Sequence, residues 1–384
     1  MPLTSPKSDV KLREIAEIPR YFPEGISSFQ VDLRAADLRN FDLIGREYDL
    51  YHSIFDNYTE WPSLDDVYFE PDAILETNLS PGLNIKNLHE RGIDGRGINL
   101  AIIDQPQNII HQEFTDHLIL AGYYPPGCDV INSMHGPYVT GHIIGTNSGI
   151  APGSNVYFYS SLPQDGNQEF TYEFDIAAME EIQKHNETSE NKITILSLSQ
   201  VSSPDRKFYH EYEAKILELE NSGITVITAD LPIRNPEYSF YGLRKDALAD
   251  PEVFSSYYAI PWDEWILKIH NFPFAQDVYK NEFTINDSMQ LPVLFPLDFS
   301  RTNVGMLGPD NYYIKFVGGW SGLPPTISGL FALAIQMDPE ITFDEFWHVL
   351  YTTGRSYDFQ ANNKIMRGRI INPEAMIEYI INDV

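Results

Sequence analysis

Residues 92–104 read Gly92-Ile-Asp-Gly-Arg-Gly97-Ile-Asn-Leu-Ala-Ile-Ile-Asp104, a glycine-rich turn that leads into an almost wholly apolar strand. A continuous apolar run bounded by turn residues is typical of a strand that is buried on both faces of a parallel sheet. Asp104 stands at the exit of that strand, and binding sites form beyond the carboxyl ends of parallel strands. The segment therefore predicts an α/β fold with Asp104 in a candidate site.

Two further segments place chemically active residues far along the chain from Asp104. Met134-His-Gly-Pro137 supplies His135, and Gly318-Gly-Trp-Ser-Gly322 supplies Ser321 at the start of an apolar helix. A serine hydroxyl becomes a strong nucleophile when a histidine takes its proton and a buried carboxylate orients that histidine. The three residues therefore predict a catalytic triad. Taken singly, each has a structural interpretation, as a turn residue, an interior hydrogen-bonding group or a helix cap.

These motifs resemble those of subtilisin-like serine peptidases. Four segments occur in the same order as in that family. They are the aspartate segment, His135-Gly-Pro-Tyr-Val-Thr-Gly-His-Ile143, the strand Thr194-Ile-Leu-Ser-Leu-Ser199, and Gly319-Trp-Ser-Gly-Leu-Pro-Pro325. Tyr138 stands where the family usually has a second histidine. The resemblance is closer still to bacterial subtilase-like proteins with His-Gly-Pro and Gly-Gly-Trp-Ser signatures, and it implies no particular substrate.

The resemblance implies a subtilisin-like α/β fold, mainly a parallel β-sheet flanked by helices, and a serine endopeptidase that works through an acyl-enzyme. Ser321 would attack the scissile carbonyl, His135 would carry the proton to the leaving amine, and Asp104 would orient His135. The implied peptide-binding strand contains Ser197, Leu198 and Ser199. No cofactor is implied. Calcium often braces this fold, but the sequence contains no Asp-x-Asp-x-Asp-Gly loop, so no metal ligand is assigned.

One departure from the family concerns the oxyanion. The family has an asparagine at the end of the next strand, and its amide donates to the oxyanion, whereas this chain reads Val226-Ile-Thr-Ala-Asp230. Asp230 and Asn235 are the nearest candidates, and an ionised aspartate offers no N–H. In subtilisin the loss of one such donor costs about 10²- to 10³-fold in turnover. A weak or inactive pseudopeptidase that binds peptides therefore stays open as an alternative. An acyl-transferring peptide ligase or cyclase is a further alternative, because it would use the same triad.

Strand and helix patterns alternate around these motifs. Apolar periodicity predicts helices over residues 85–90, 170–185, 212–220 and 323–337, and Thr342-Phe-Asp-Glu345 forms a capping box that opens another helix. A strand is predicted at Ile224–Thr228, after Gly223 as a helix C-cap. This alternation predicts a parallel sheet with right-handed crossovers.

Residues 1–80 are predicted to form an N-terminal extension, and residues 81–384 a peptidase-like domain with an insertion at about 234–315. Within the extension, Leu33, Leu38 and Leu43 recur every five residues. This spacing over residues 31–50 resembles pentapeptide repeats, which need neighbours to bury their faces and would therefore dock on the main domain. A short helix or strand with a chance period is the alternative. The aromatic-rich insertion is interpreted as a lid or specificity rim, or as a surface elaboration.

Charge and composition limit the partners. The 384 residues include 26 Lys plus Arg and 55 Asp plus Glu, a net charge of −29, which repels nucleic acid and anionic lipid and favours basic partners. We therefore expect a peptide or protein substrate with basic character, and neither nucleic acid nor a membrane as partner. The chain has one cysteine, Cys128, and no apolar run of signal-peptide or membrane-span length, so a cytoplasmic location is expected. The oligomeric state is not indicated.

Overall fold

The structure is a computed structural model that describes residues 10–23, 29–107, 111–114, 116–127, 133–265, 292–298, 300–316, 319–361 and 363–383. Cys128 and residues 266–291 of the insertion lie outside these ranges. The strands are β1 (Ile54–Asp56), β2 (Asn99–Asp104), β3 (Leu118–Tyr124), β4 (Asn155–Ser161), β5 (Ile195–Leu198), β6 (Thr225–Thr228), β7 (Phe240–Lys245), β8 (Tyr257–Ala259), β9 (Val293–Asp298), β10 (Asn303–Val304), β11 (Tyr312–Lys315), β12 (Arg355–Ala361) and β13 (Lys364–Ile370). The α-helices are α1 (Glu47–Tyr51), α2 (Pro71–Thr77), α3 (Ile85–Glu90), α4 (His135–Ile144), α5 (Glu173–Thr188), α6 (Tyr209–Asn221), α7 (Leu231–Arg234), α8 (Leu323–Met337), α9 (Phe343–Thr353) and α10 (Pro373–Asp383).

The predicted parallel sheet is confirmed. It has five strands in the order β3-β4-β2-β5-β6, and all four neighbouring pairs are parallel. Side chains alternate across β2, so that Leu100 and Ile102 pack in the same core cluster as α4 and α8, while Ala101 and Ile103 pack in the cluster that contains α5 and α6. Helices therefore cover both faces of the sheet, and β2 lies at its centre.

The helix predictions agree with the structure to within a few residues at each end. The helices at residues 85–90 and 323–337 match α3 and α8, and those at 170–185 and 212–220 match α5 and α6. The capping box that opens α9 is present, with Thr342 Oγ1 accepting from the Glu345 N–H and the Glu345 carboxylate accepting from the Thr342 N–H. Among the described helices, none combines the length and the apolar character that a bilayer crossing requires.

A second five-stranded sheet was not predicted. Its order is β12-β13-β9-β7-β8, so the insertion supplies three of its strands. Phe240 on β7 and Trp265 are buried, and the ring centroid of each lies 5.4 Å from that of Trp320. The described part of the insertion therefore contributes strands and buried aromatic side chains to the core.

The N-terminal extension packs against the rest of the protein through strand pairing and apolar contact. Its strand β1 pairs with β11, which also pairs with β10, in a three-stranded antiparallel sheet. Leu33, Leu38 and Leu43 are buried in one cluster with Ile314 and Phe316 at the end of β11. The five-residue leucine period of the sequence thus corresponds to burial against the segment that precedes Ser321.

We predict that Leu38→Ala lowers the free energy of unfolding of the whole protein by about 2–5 kcal/mol, because it opens a cavity in the cluster that joins the extension to β11. Denaturant unfolding followed by tryptophan fluorescence measures this change. Ile44→Ala is the matched control, since Ile44 lies in the same repeat region but is 65% exposed. An extension that melts separately, with the main transition unchanged in Leu38→Ala, would contradict the prediction.

Candidate active site

Asp104 ends the central strand β2, where its side chain is 5% exposed. One of its carboxylate oxygens, Oδ1, accepts the N–H of Gln105 at 2.7 Å and a hydrogen bond from His135 Nδ1 at 2.6 Å. A carboxylate oxygen has no proton to donate, so Nδ1 is the donor in the contact with His135. The lone pair of the histidine is then on Nε2, the nitrogen needed to take a proton from a hydroxyl.

Helix α4 brings His135 to this position. His135 is its first residue, and its backbone N–H donates to Ser133 Oγ, which in turn donates to Gln105 Oε1 at 2.6 Å. The close approach depends on Gly136, because a Cβ there would lie 2.6 Å from Gln105 O. A distance under 3.0 Å is a steric clash, so glycine is the residue that lets the start of α4 touch the chain leaving β2.

Ser321 reaches the same place from the other end of the protein. It lies in a 3-10 turn, Trp320–Gly322, that leads into the apolar helix α8. Gly322 allows this turn to pack on α4, since a Cβ at Gly322 would lie 2.5 Å from Tyr138 Oη. Tyr138 on α4 is therefore part of the contact between that helix and the turn that contains Ser321.

Asp104, His135 and Ser321 line one cavity of about 230 Å³. Within the described residues Ser321 Oγ makes no hydrogen bond. Ser321 and His135 are therefore related here by lining the same cavity. Catalytic hydrogen bonds are often long in a protein without substrate and tighten when substrate binds. The arrangement can deliver a serine hydroxyl to a histidine whose ring is already oriented by a buried carboxylate.

The predicted substrate-binding residues occupy different positions. Ser197 and Leu198 belong to β5, which is paired with β2 on one side and with β6 on the other. Ser199 follows the end of that strand and, with Gln200 and Val201, lines the cavity. Of the three predicted substrate-binding residues, Ser199 is the one among the described residues that line this cavity.

The predicted oxyanion residues are not among the described residues that line the cavity. One carboxylate oxygen of Asp230 accepts the Ser202 N–H at 3.1 Å, and the other accepts Arg234 Nε at 3.2 Å. Arg234 also forms an ion pair with Glu213. Asn235 Oδ1 accepts the backbone N–H two residues later, at the start of a 3-10 turn.

Other polar residues in the cavity were missed at the sequence level. Asp175 on α5, Ser161 at the end of β4, Gln200 and Arg206 all line it. Asp175 lies one turn before the apolar residues Ala178 and Met179 on the buried face of α5. The sequence signal that could have identified Asp175 is the presence of a carboxylate on the apolar face of a predicted helix. Within the described part of the chain, no group of three or more His, Cys, Asp or Glu side chains is arranged to hold a metal ion.

Comparison with solved structures identifies the architecture. The chain is similar to a structure from a study of subtilase cytotoxin SubAB assembly, with a TM-score of 0.51 and 13% identity over 79% of this chain and 96% of the other. It is similar to the A-subunit of the AB5 toxin from E. coli, with a TM-score of 0.52 and 11% identity over 78% and 98% of the two chains. A cold-adapted subtilisin-like serine proteinase gives 0.46 and 14% over 72% and 89%. No protein-family model and no curated protein sequence matches the chain.

The structure thus defines a protein of subtilisin-like α/β fold. At these identities the similarity concerns the fold alone. The order of β2, α4 and the 3-10 turn Trp320–Gly322 along the chain, and the cavity that residues of all three line, are observed directly in this protein.

We predict that Gly136→Ala separates His135 from Asp104 and destabilises the protein by about 1–3 kcal/mol, as expected for an added methyl group in a tightly packed contact. Proton NMR would show the loss of the downfield Nδ1–H resonance that a histidine hydrogen-bonded to a carboxylate gives. Gly166→Ala is the control, since no atom lies within 4 Å of a Cβ at that position. Survival of the resonance in Gly136→Ala would refute the steric argument.

We also predict that Asp230→Asn lowers stability by about 1–3 kcal/mol without raising any turnover, because the carboxylate is 5% exposed and paired with Arg234. Thermal unfolding and peptide hydrolysis, measured on the same preparation, test both parts. An increase in hydrolysis would place residue 230 beside the oxyanion instead, since asparagine would then supply the missing N–H.

Proposed function

We propose that this chain is a serine endopeptidase of the subtilisin-like family. The observation that carries the proposal is the 2.6 Å hydrogen bond from His135 Nδ1 to the buried carboxylate of Asp104, in a cavity that Ser321 also lines. A buried carboxylate that orients a histidine beside a serine is the arrangement that activates a hydroxyl for acyl transfer. The similarity of the fold to subtilase structures supports this proposal.

In the proposed reaction, Ser321 Oγ attacks the scissile carbonyl while His135 Nε2 takes the hydroxyl proton. Asp104 stabilises the imidazolium that forms, and His135 then gives the proton to the departing amine. Water attacks the resulting ester by the same route and releases the acid. The backbone N–H of Ser321, at the start of the 15-residue helix α8, is the proposed donor to the oxyanion.

A second candidate function is a weak or inactive pseudopeptidase that binds peptides. It is favoured by one observation: neither Asp230 nor Asn235 is among the described residues that line the cavity, so neither is placed to donate to an oxyanion. A site with one donor fewer still forms the acyl-enzyme, but about 10²- to 10³-fold more slowly. A weak enzyme would therefore still have an activated Ser321, whereas in an inactive peptide-binding protein Ser321 would not be activated.

A fluorophosphonate probe distinguishes them, because it reacts rapidly with a serine only when a base activates that serine. We predict a single adduct, located at Ser321 by mass spectrometry of the digested protein. Both Ser321→Ala and His135→Ala should slow labelling by at least about 10³-fold while the thermal transition stays close to that of the wild type.

His210→Ala is the matched control for the histidine substitution, because this exposed residue at the start of α6 is remote from the hydrogen bond to Asp104. It should leave labelling unchanged. A wild-type chain that remains unlabelled, while a control peptidase reacts in the same tube, would reject the endopeptidase and support the peptide-binding alternative. Labelling that persists in Ser321→Ala would reject Ser321 as the nucleophile.

A further inference from the structure

A chain of polar contacts extends from the floor of the cavity to its rim. Asp175 is buried, and its two carboxylate oxygens accept from Ser161 Oγ at 2.6 Å and from Gln200 Nε2 at 3.0 Å. Gln200 Oε1 accepts from Arg206 Nη1 at 3.1 Å. We call Asp175, Gln200 and Arg206, with the space that they border in the cavity, the Arg206 recess.

The orientation of the Gln200 amide is fixed from both ends. The carboxylate of Asp175 accepts, so the amide must present its NH2 group to it, and this leaves the carbonyl oxygen for Arg206. Tyr212 Oη, 3.2 Å from Gln200 Nε2, accepts from the same NH2 group. Burial raises the pKa of Asp175, and the hydrogen bonds from Ser161 and Gln200 and the charge of Arg206 oppose this rise. Asp175 therefore acts as an anchor that aims Gln200 at Arg206.

Among the described residues, the Arg206 side chain contacts two aromatic rings and uses one of its N–H donors in a side-chain hydrogen bond. Its guanidinium lies 5.1 Å from the ring centroid of Tyr172 and 5.5 Å from that of Phe170, and it donates to Gln200. A guanidinium has five N–H donors in a planar fork that matches a carboxylate. Within the described part of the chain, no carboxylate forms an ion pair with Arg206, although Asp175 is close enough to feel its charge.

Arg206 is placed where its guanidinium can contact a substrate. It lines the same cavity as His135 and Ser321, as does the segment Ser199 to Val201, which follows the end of β5. A peptide whose scissile carbonyl lies at Ser321 would have side chains near that carbonyl in the same cavity as Arg206. A fixed cation with free donors at that place selects a negatively charged group.

We propose that the Arg206 recess is a specificity subsite that binds the carboxylate of an Asp or Glu side chain in the acyl half of the substrate. Arg206 makes the contact, and Gln200 and Asp175 are positioning residues. The proposal rests on the proposed function, because it takes the cavity to be the peptide-binding cleft.

This local preference opposes the long-range field of the protein. A net charge of −29 repels an acidic peptide in bulk solvent, but salt screens charges separated by more than about 8 Å at physiological ionic strength. A direct guanidinium–carboxylate contact in a half-enclosed cavity is screened much less. The proposed subsite thus favours an acidic residue at one position of the substrate, whereas the net charge of the protein led us to expect a substrate with basic character.

The test uses tetrapeptide aldehydes as competitors of fluorophosphonate labelling, with one position fixed as Glu, Gln or Lys and the other positions mixed. In the wild type we expect Glu at one position to compete at least about tenfold more strongly than Gln. Arg206→Gln should abolish this difference, and Arg206→Glu should shift the preference to Lys. Asp175→Asn should reduce it, because Gln200 can then turn its NH2 group toward Arg206.

Lys207→Gln is the matched control, since it removes the same charge from the next residue, which pairs with Asp165 and Glu169 and is not among the described residues of the cavity. It should keep the preference for Glu, as should Arg206→Lys to a smaller degree. Equal competition by Glu and Gln at every position of a labelled wild type overturns the subsite alone, as does a preference that survives Arg206→Gln. A wild type that is never labelled overturns the proposed function itself.

Discussion

The contact between the amino end of α4 and the chain leaving β2 determines the geometry of the candidate site. The absence of a side chain at Gly136 permits it, and the Asp104–His135 hydrogen bond follows from it. The same helix meets the serine turn through Tyr138, which packs against Gly322. One helix thus holds the histidine between the carboxylate and the serine. The precision of the site depends on backbone packing more than on any single polar contact.

The central sheet could be predicted because its signals are local, and the segments that carry Asp104, His135 and Ser321 were singled out from local signals too. Three patterns each indicate a helix or a strand within one short segment. They are the apolar run before Asp104, the capping box at Thr342 and the long apolar run of α8. The glycine pattern around the histidine and the serine carried the family resemblance. Physical chemistry then explains why these residue types occur together, since a nucleophilic serine needs a base and the base needs an orienting acid.

The second sheet could not be predicted because one of its buried strands, β7, contains charged residues. Strand β7 is buried along its whole length, although it contains Arg244 and Lys245, residues that ordinarily indicate a surface. Lys245 donates to two backbone carbonyls, and burial lowers its pKa to about 8. Arg244 pairs with Glu264. Such tertiary compensation is invisible in a single sequence. The Arg206 recess was missed because Asp175 on α5 meets Gln200 and Arg206, which lie between β5 and α6, only in the folded protein.

The pairing of β1 with β11 has a consequence for the order of assembly. Asn57, just after β1, donates its side-chain N–H to the carbonyl oxygen of Asp310, 253 residues later. Ribosomes add about 5–20 residues per second, so the extension waits on the order of 10 to 50 s for its partner strand. The serine turn emerges only after that strand. A growing chain therefore carries an unpaired apolar segment until β11 has been synthesised, and it completes the candidate site only after that point, which makes this interval the period in which a chaperone has most to bind.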